Sequence, residues 1–303
     1  MFKSLQTLWQ FSRPHTIIGS VISITVLWMM AMEKTEYINN LPLLFLTLWV
    51  GISCNIFIVG LNQIIDIHLD KINKPNLPLA NGSLTVKSAY QIISICLFIT
   101  LVLSFYTSLI LGLLIVLILL IGAAYSVPPL QLKKHHLPAA IAITTVRGLL
   151  VNVGMYLHFL QASGQITLDQ AFQNPAEQMS YQIWMLTFFV AAFSIAIAWF
   201  KDLPDTKGDK KFRFQTLAIV YSPKMALYGG VVLVGLAYVV TIFWSLNKGN
   251  TFLSLFHLIT AFGFLTNVWF VDLKNDKSVT RFYMIFWAFF FLEYIGFGIS
   301  ALL

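Results

Sequence analysis

Five of the twelve acidic residues fall in two clusters whose spacing suits a divalent cation. The first reads Gly60-Leu61-Asn62-Gln63-Ile64-Ile65-Asp66-Ile67-His68-Leu69-Asp70, so Asn62, Asp66 and Asp70 recur every four residues and share one helical face. The second runs Lys201-Asp202-Leu203-Pro204-Asp205-Thr206-Lys207-Gly208-Asp209, placing Asp202, Asp205 and Asp209 at spacings of three and four. Pro204 and Gly208 weaken the expectation of an unbroken helix there. Carboxylates stacked beside hydrocarbon repel one another and lose hydration, so a compensating positive charge is expected. Mg2+ fits, because it takes oxygen ligands from one or two carboxylates and completes its shell with water and phosphate. Two such clusters facing each other would hold a diphosphate between metal ions and neutralise the charge growing on it as a leaving group. A lone aspartate at a helix end more often only solvates or caps it. Two matched ladders, each followed by a basic loop, argue for the metal.

Candidate anion ligands surround both clusters. A turn-rich loop after the first carries Lys71 and Lys74, and Tyr125-Ser126 precede Pro128-Pro129 and Lys133. Lys74 and Lys133 suit a phosphate as point charges, and Tyr125 and Ser126 as hydrogen-bonding hydroxyls. Plain topology explains lysines in these loops equally well. The His135-His136 pair lacks metal spacing and is expected to be solvated. Arg147 lies inside an apolar run, where a charge needs a carboxylate partner or a polar cavity, and Gly148 and Asn152 follow it. Glu293 is a similar case, assigned to packing or to an acceptor pocket. Arg13, His15, Arg147, Asn152 and Glu293 together form the expected polar lining of that pocket.

The elements that must carry these residues are membrane spans. Of the 303 residues, 58% are hydrophobic and 10% charged, against about 25% charged in an average soluble domain. Apolar stretches near 15–32, 43–65, 88–106, 108–126, 138–160, 181–200, 226–246, 252–271 and 283–302 are each long enough to cross a bilayer. Continuous Leu, Ile, Val and Phe exclude the alternating strands of a barrel. The expected fold is therefore all-α: one polytopic membrane domain, residues 1–303, of nine transmembrane helices. Both carboxylate clusters fall at the ends of the second and sixth spans, on the same side. Cys54 and Cys96 have no metal-type spacing and are read as small buried hydrophobes.

The net charge of +7 reflects topology rather than a nucleic-acid partner. Lys3 and Arg13, the 71–87 loop, Lys133 and Lys134, the 201–224 stretch, and Lys274, Lys277 and Arg281 lie on alternate connections. Only Lys34 and Lys248 fall on the other side. The positive-inside rule then puts the N-terminus in the cytoplasm and Leu303 opposite. The segment from Met1 to Pro14 lacks the long Arg- and Ser-rich character of a transit peptide, so a bacterial inner membrane is expected. No obligate protein partner is inferred.

These residues resemble the UbiA superfamily of membrane prenyltransferases, whose members show an Asn-Asp-x-x-Asp-x-x-x-Asp type motif on the second helix and Asp-x-x-x-Asp on the sixth. Asn62, Asp66 and Asp70 match the first and Asp205 and Asp209 the second. Gln63 stands where many members have Asp and is not counted as a ligand. Within the superfamily the chain is most similar to homogentisate prenyltransferases, especially the phytyl-transferring branch, through stretches including Phe11 to Gly19, Gly60 to Gly82, Tyr125 to Lys133, Val146-Arg147-Gly148, Phe200 to Asp209 and Phe291 to Tyr294.

The resemblance implies a bundle of nine helices around a central cavity, a cytoplasmic cap over the Asp motifs, a lateral opening to lipid, and Mg2+-dependent transfer of a phytyl or geranylgeranyl group from its diphosphate to homogentisate with decarboxylation, as in tocopherol-type biosynthesis. Asp66, Asp70, Asp205 and Asp209 would be catalytic, Asn62 and Asp202 further metal ligands, and Lys74, Tyr125, Ser126 and Lys133 neighbours of the diphosphate. Another aromatic acceptor (4-hydroxybenzoate, a naphthoate or a chlorophyllide) and a solanesyl donor remain open alternatives. Intramembrane Asn, Asp and Arg also occur in transporters, a reading the paired Asp clusters disfavour.

Overall fold

In hydrocarbon a backbone N–H or C=O has no water to bond, so apolar runs of this length close their hydrogen bonds internally as helices. The computed structural model describes residues 2–303, with the backbone alone for residues 2–4. The side chain of Lys3, counted above with the cytoplasmic charges, lies outside the described residues. Among the described residues nine helices can cross a membrane: α1 (Pro14–Ala31), α2 (Leu41–Ile65), α3 (Val86–Thr107), α4 (Leu109–Ser126), α5 (His136–Ala162), α6 (Tyr181–Phe200), α7 (Pro223–Asn247), α8 (Thr251–Trp269) and α9 (Asp276–Leu302). No strand occurs among them. The nearest approach to one is an isolated bridge between His135 and Gln215.

Local chemistry sets the helix starts. The side chains of Thr85, Ser108, Ser180 and Ser222 each accept a backbone N–H from the first turn of α3, α4, α6 and α7. Pro14 and Pro223 open α1 and α7, where a missing N–H costs nothing. Consecutive spans pack on one another, and α9 packs on α1, so the nine helices close into a ring. Within it α6 is the most enclosed span. Phe193 on α6 stacks on Phe286 of α9, ring centroids 4.6 Å apart, and Phe189, Phe264 and Phe282 extend this buried aromatic layer. Lipid-facing α3 is the least enclosed and exposes Ile95, Phe98 and Val102. Cys54 is buried, Cys96 is half-buried, and both are free thiols.

Two departures from continuous helix matter for the site. α2 ends at Ile65, Asp66 takes φ −98° and ψ 12°, and a short helix resumes over Ile67–Asn73. The ladder survives the bend, because Asp66 N–H still bonds Asn62 O at 3.0 Å and Asp70 N–H bonds Asp66 O at 2.7 Å. After α6 the chain turns through Pro204, then forms the helix Thr206–Lys211. Proline lacks the N–H that a continuing helix needs and disfavours helical geometry at the preceding residue, which accounts for the break.

Candidate functional site

The two short helices, Ile67–Asn73 and Thr206–Lys211, lie against each other at one end of the ring. Asn73 joins them: its Nδ2 donates to Asp209 Oδ1 at 3.1 Å, and its Oδ1 accepts the Gly208 N–H at 2.8 Å. A Cβ at position 208 would stand 2.3 Å from Asn73 Oδ1, so glycine permits this approach. The sequence reading missed Asn73. Its neighbours Lys71 and Lys74 drew attention as cations, whereas a neutral amide in a loop carries no local signal.

Basic side chains hold most of the carboxylates. Lys133 Nζ donates to both Asp66 oxygens at 2.6 Å, Lys74 to Asp205, and Lys201 to Asp202. Arg13, held at φ 52° just before Pro14, brings its Nη2 to 4.0 Å from Asp70 Oδ2. A non-glycine residue in that conformation is a strained one, of a kind often found at functional sites. Asp70 Oδ2 is buried with no hydrogen bond.

Burial raises the Asp70 carboxyl to about 6, against the opposing pull of Arg13 and Lys74. Burial together with Asp202 and Asp205 raises Asp209 to about 7. Burial alone would depress Lys74, but Asp205 beside it keeps that ammonium above the usual lysine range. Lys133 falls below its usual range, because burial there outweighs the attraction of Asp66.

Among the described residues no three His, Cys, Asp or Glu side chains converge as a ready metal site. The donor set nevertheless suits Mg2+: it is all oxygen, it includes an unpartnered buried carboxylate oxygen, and two of its carboxyls hold protons more tightly than water would allow. A cation bound there would compete with Lys74, Lys133 and Lys201 for their carboxylates.

Beneath this layer lies a cavity of about 280 Å3, lined by α1, α2, α4, α5 and α9 and by the C-terminal end of α6. Asn62, Tyr125, Ser126 and Lys201 line its carboxylate end, where Asn62 Nδ2 donates to Ser126 Oγ at 3.2 Å. Arg13 and His15 enter from α1, and the His15 ring meets Trp287 edge-on at 5.1 Å. Arg147 lies over the Trp287 ring at 4.7 Å, and no carboxylate among the described residues pairs with it. Of the two roles left open for Arg147, pairing with a carboxylate does not occur. Lys201, Asn55, Tyr283 and Trp287 also line the cavity and were not singled out beforehand. Lys201 was counted as a topological charge, and only its packing distinguishes it.

Two expected lining residues lie elsewhere. Asn152 is buried behind the wall, accepting from Tyr294 OH at 2.6 Å and donating to Gly148 O. Glu293 faces α7 and α8: Tyr238 OH donates to it at 2.9 Å, and His257 Nδ1 stands 2.9 Å away without hydrogen-bond alignment. Because α9 turns 100° per residue, Tyr294 faces the cavity and Glu293 faces the core beside it. Glu293→Ala removes a buried hydrogen bond from the Tyr238 hydroxyl and is expected to cost about 1 kcal/mol. Thermal denaturation in detergent should show that loss while the KM for an aromatic acceptor stays unchanged.

Known proteins resemble this chain in sequence and in fold. The model of the UbiA prenyltransferase family matches residues 22–291. Homogentisate phytyltransferase of Synechocystis is 35% identical over 300 residues, covering 96% of this chain and 94% of that protein. The chloroplastic homogentisate solanesyltransferase of Arabidopsis thaliana is 36% identical over 299 residues, covering 95% and 75%. Among solved structures, a UbiA homolog from Archaeoglobus fulgidus bound to GPP and Mg2+ superposes with TM-score 0.61 at 14% identity, covering 96% of this chain and 99% of that one. A family match across most of the chain, on a ring of nine helices with both Asp segments at one end, establishes that the chain belongs to the UbiA prenyltransferase family.

Proposed function

We propose that this chain transfers a phytyl or geranylgeranyl group from its diphosphate to homogentisate, with loss of the acceptor's carboxylate as carbon dioxide. The observation that carries this reading is Arg147, with no carboxylate partner among the described residues, in a largely apolar cavity beneath two facing carboxylate segments. Such a cavity offers a cation to an acidic aromatic and keeps water from the reacting carbon. The similarity to homogentisate phytyltransferase and solanesyltransferase supports the acceptor.

Asp66, Asp70, Asp205 and Asp209, with Asn62 and Asp202 beside them, are the residues that would hold Mg2+. Bound there, Mg2+ supplies positive charge against which the diphosphate can depart. Lys74 and Lys133, once released from Asp205 and Asp66, neutralise diphosphate oxygens, while Ser126 and Tyr125 hydrogen-bond to them. The prenyl C–O bond breaks with its electron pair on the diphosphate, and a ring carbon of the acceptor supplies the pair for the new C–C bond. The ring loses a proton, and the pair left as carbon dioxide departs takes one up. Trp287, Phe290 and Tyr294 wall the chamber with ring faces that stabilise a carbocation and exclude water, which would otherwise yield the alcohol. Arg147 holds the acceptor carboxylate, with Arg13 and His15 on the facing wall.

The alternation of basic connections supports a cytoplasmic carboxylate layer and N-terminus with Leu303 on the far side, and the similarity to the Synechocystis protein supports a bacterial inner membrane as the location. The chain acts as one domain, 1–303.

Purified protein, offered homogentisate, 4-hydroxybenzoate and a naphthoate with phytyl, geranylgeranyl and solanesyl diphosphates, tests the proposal. Mg2+-dependent prenylated, decarboxylated homogentisate is the expected product. Product from another acceptor alone would keep the reaction and remove homogentisate. Arg147→Met is expected to raise the homogentisate KM about 10- to 100-fold, the worth of a hydrogen bond to a charged group, while the KM for the diphosphate holds. Equal rises in both constants would sink the assigned role.

A further inference from the structure

A second hollow lies on the other side of α5 from the cavity. Between α5, α6 and α7 runs a groove of about 680 Å3 lined by Thr144, Gly148, Trp184, Thr187, Trp244 and Lys248, among others. It does not belong to the cavity under the carboxylates. The π-helical segment Thr145–Gly154 of α5 divides them: Val146, Arg147 and Val151 face the cavity, whereas Thr145, Gly148 and Leu149 face the groove. The floor is closed where Gly148 meets α6, since a Cβ there would stand 2.8 Å from Ala191 Cα.

We propose that this groove holds one phospholipid with an anionic headgroup, its phosphate on Lys248 and one acyl chain running down to Gly148, in the leaflet facing away from the carboxylate layer. Three observations fit that occupant. Lys248 stands at the mouth with no carboxylate pairing with it among the described residues, its Nζ 5.6 Å from the Tyr181 ring centroid. Tyr181, Trp184 and Trp244 flank it, as aromatic side chains do at headgroup depth. Below them Thr187 is buried, lines the groove, and leaves its hydroxyl without a hydrogen-bond partner. The ester carbonyl of a lipid, lying just beneath its phosphate, satisfies that hydroxyl. Thr144, deeper in the groove, is also unpartnered.

Length agrees as well. From Tyr181 to Ala191, α6 rises about 15 Å, half the roughly 30 Å hydrocarbon core of a bilayer. One acyl chain spans that depth, and the charge at the mouth selects phosphate without a compensating cation.

Reconstitution in phosphatidylcholine vesicles tests this with lipids brominated on the acyl chain, which quench tryptophan on contact. Brominated phosphatidylglycerol is expected to quench more than brominated phosphatidylcholine at equal content. The binding preference is expected to be about fivefold, the worth of one lysine at a membrane surface. The excess should vanish in Lys248→Gln and in the Trp184→Phe/Trp244→Phe double variant. Lys248→Gln changes an exposed side chain and leaves folding intact, and native mass spectrometry of the same proteins reads retained lipid independently. Equal quenching by the two lipids, or an excess that survives Lys248→Gln, would overturn the proposal. Prenyl transfer is read in none of these arms, so the result stands apart from the proposed reaction.

Discussion

Replacing Asp66 by alanine is expected to lower prenyl transfer about 10²- to 10³-fold, the usual cost of removing one group that stabilises charge growing in a transition state. It also strikes the fold. Lys133 is only 4% exposed and spends its ammonium on both Asp66 oxygens. Stranding such a buried charge costs about 3–5 kcal/mol, so a dead Asp66→Ala protein says little by itself. The double variant Asp66→Ala/Lys133→Met removes both charges and should recover most of the thermal stability while transfer stays at the low level. Single-turnover product formation beside a detergent melting curve separates the two effects. Recovery of wild-type turnover in the double variant would show that the Asp66 carboxylate is not needed for chemistry. Asp205→Ala offers the complementary case: its partner Lys74 is 39% exposed and can turn to water. The stability loss there is expected to be about 1 kcal/mol or less, with a loss of transfer as large as for Asp66.

Stripping divalent cation with a chelator should abolish product, and added Mg2+ should restore it. The amount required is expected to depend on pH. Asp209 holds its proton up to about 7 and Asp70 up to about 6, both because burial disfavours their charged forms. Metal must displace those protons, so the Mg2+ concentration for half-maximal transfer rises as pH falls through 7, about tenfold per unit for each carboxyl still protonated. The sign for the metal-free protein is opposite. Between 3.8 and about 7 the folded chain keeps on Asp209 a proton that the unfolded chain has released. The contribution of that carboxyl to stability therefore falls as pH rises across this window. Thermal scans with and without Mg2+ between pH 5 and 8 read both trends. A pH-independent Mg2+ requirement would remove Asp209 and Asp70 from the metal site.

How much of this was legible beforehand depended on the range of the interaction. Spans of twenty apolar residues announce themselves because hydrocarbon offers a backbone no other way to bond, and the structure has helices at all nine predicted positions. The aspartate ladders were visible for a related reason. A spacing of four keeps residues on one face through a helix and, as Asp66 and Asp70 show, through a bend that preserves each hydrogen bond to the fourth residue back. Asn152 and Glu293 were harder. A polar residue within a span signals only that it avoids lipid, and avoiding lipid is satisfied equally by a cavity or by a packed core.

The sequence alone determined that the chain is a nine-span helical membrane protein with two groups of carboxylates gathered at one end, because those properties follow from local composition and helical periodicity. Only the tertiary structure decided which lysine holds which aspartate, since Lys133 and Asp66, or Lys74 and Asp205, meet across 67 and 131 residues of chain. It also turned Arg147 toward Trp287 and Glu293 toward Tyr238. The facing of a side chain inside a bundle is set by the helix packed against it, and helix packing is a property of the pair.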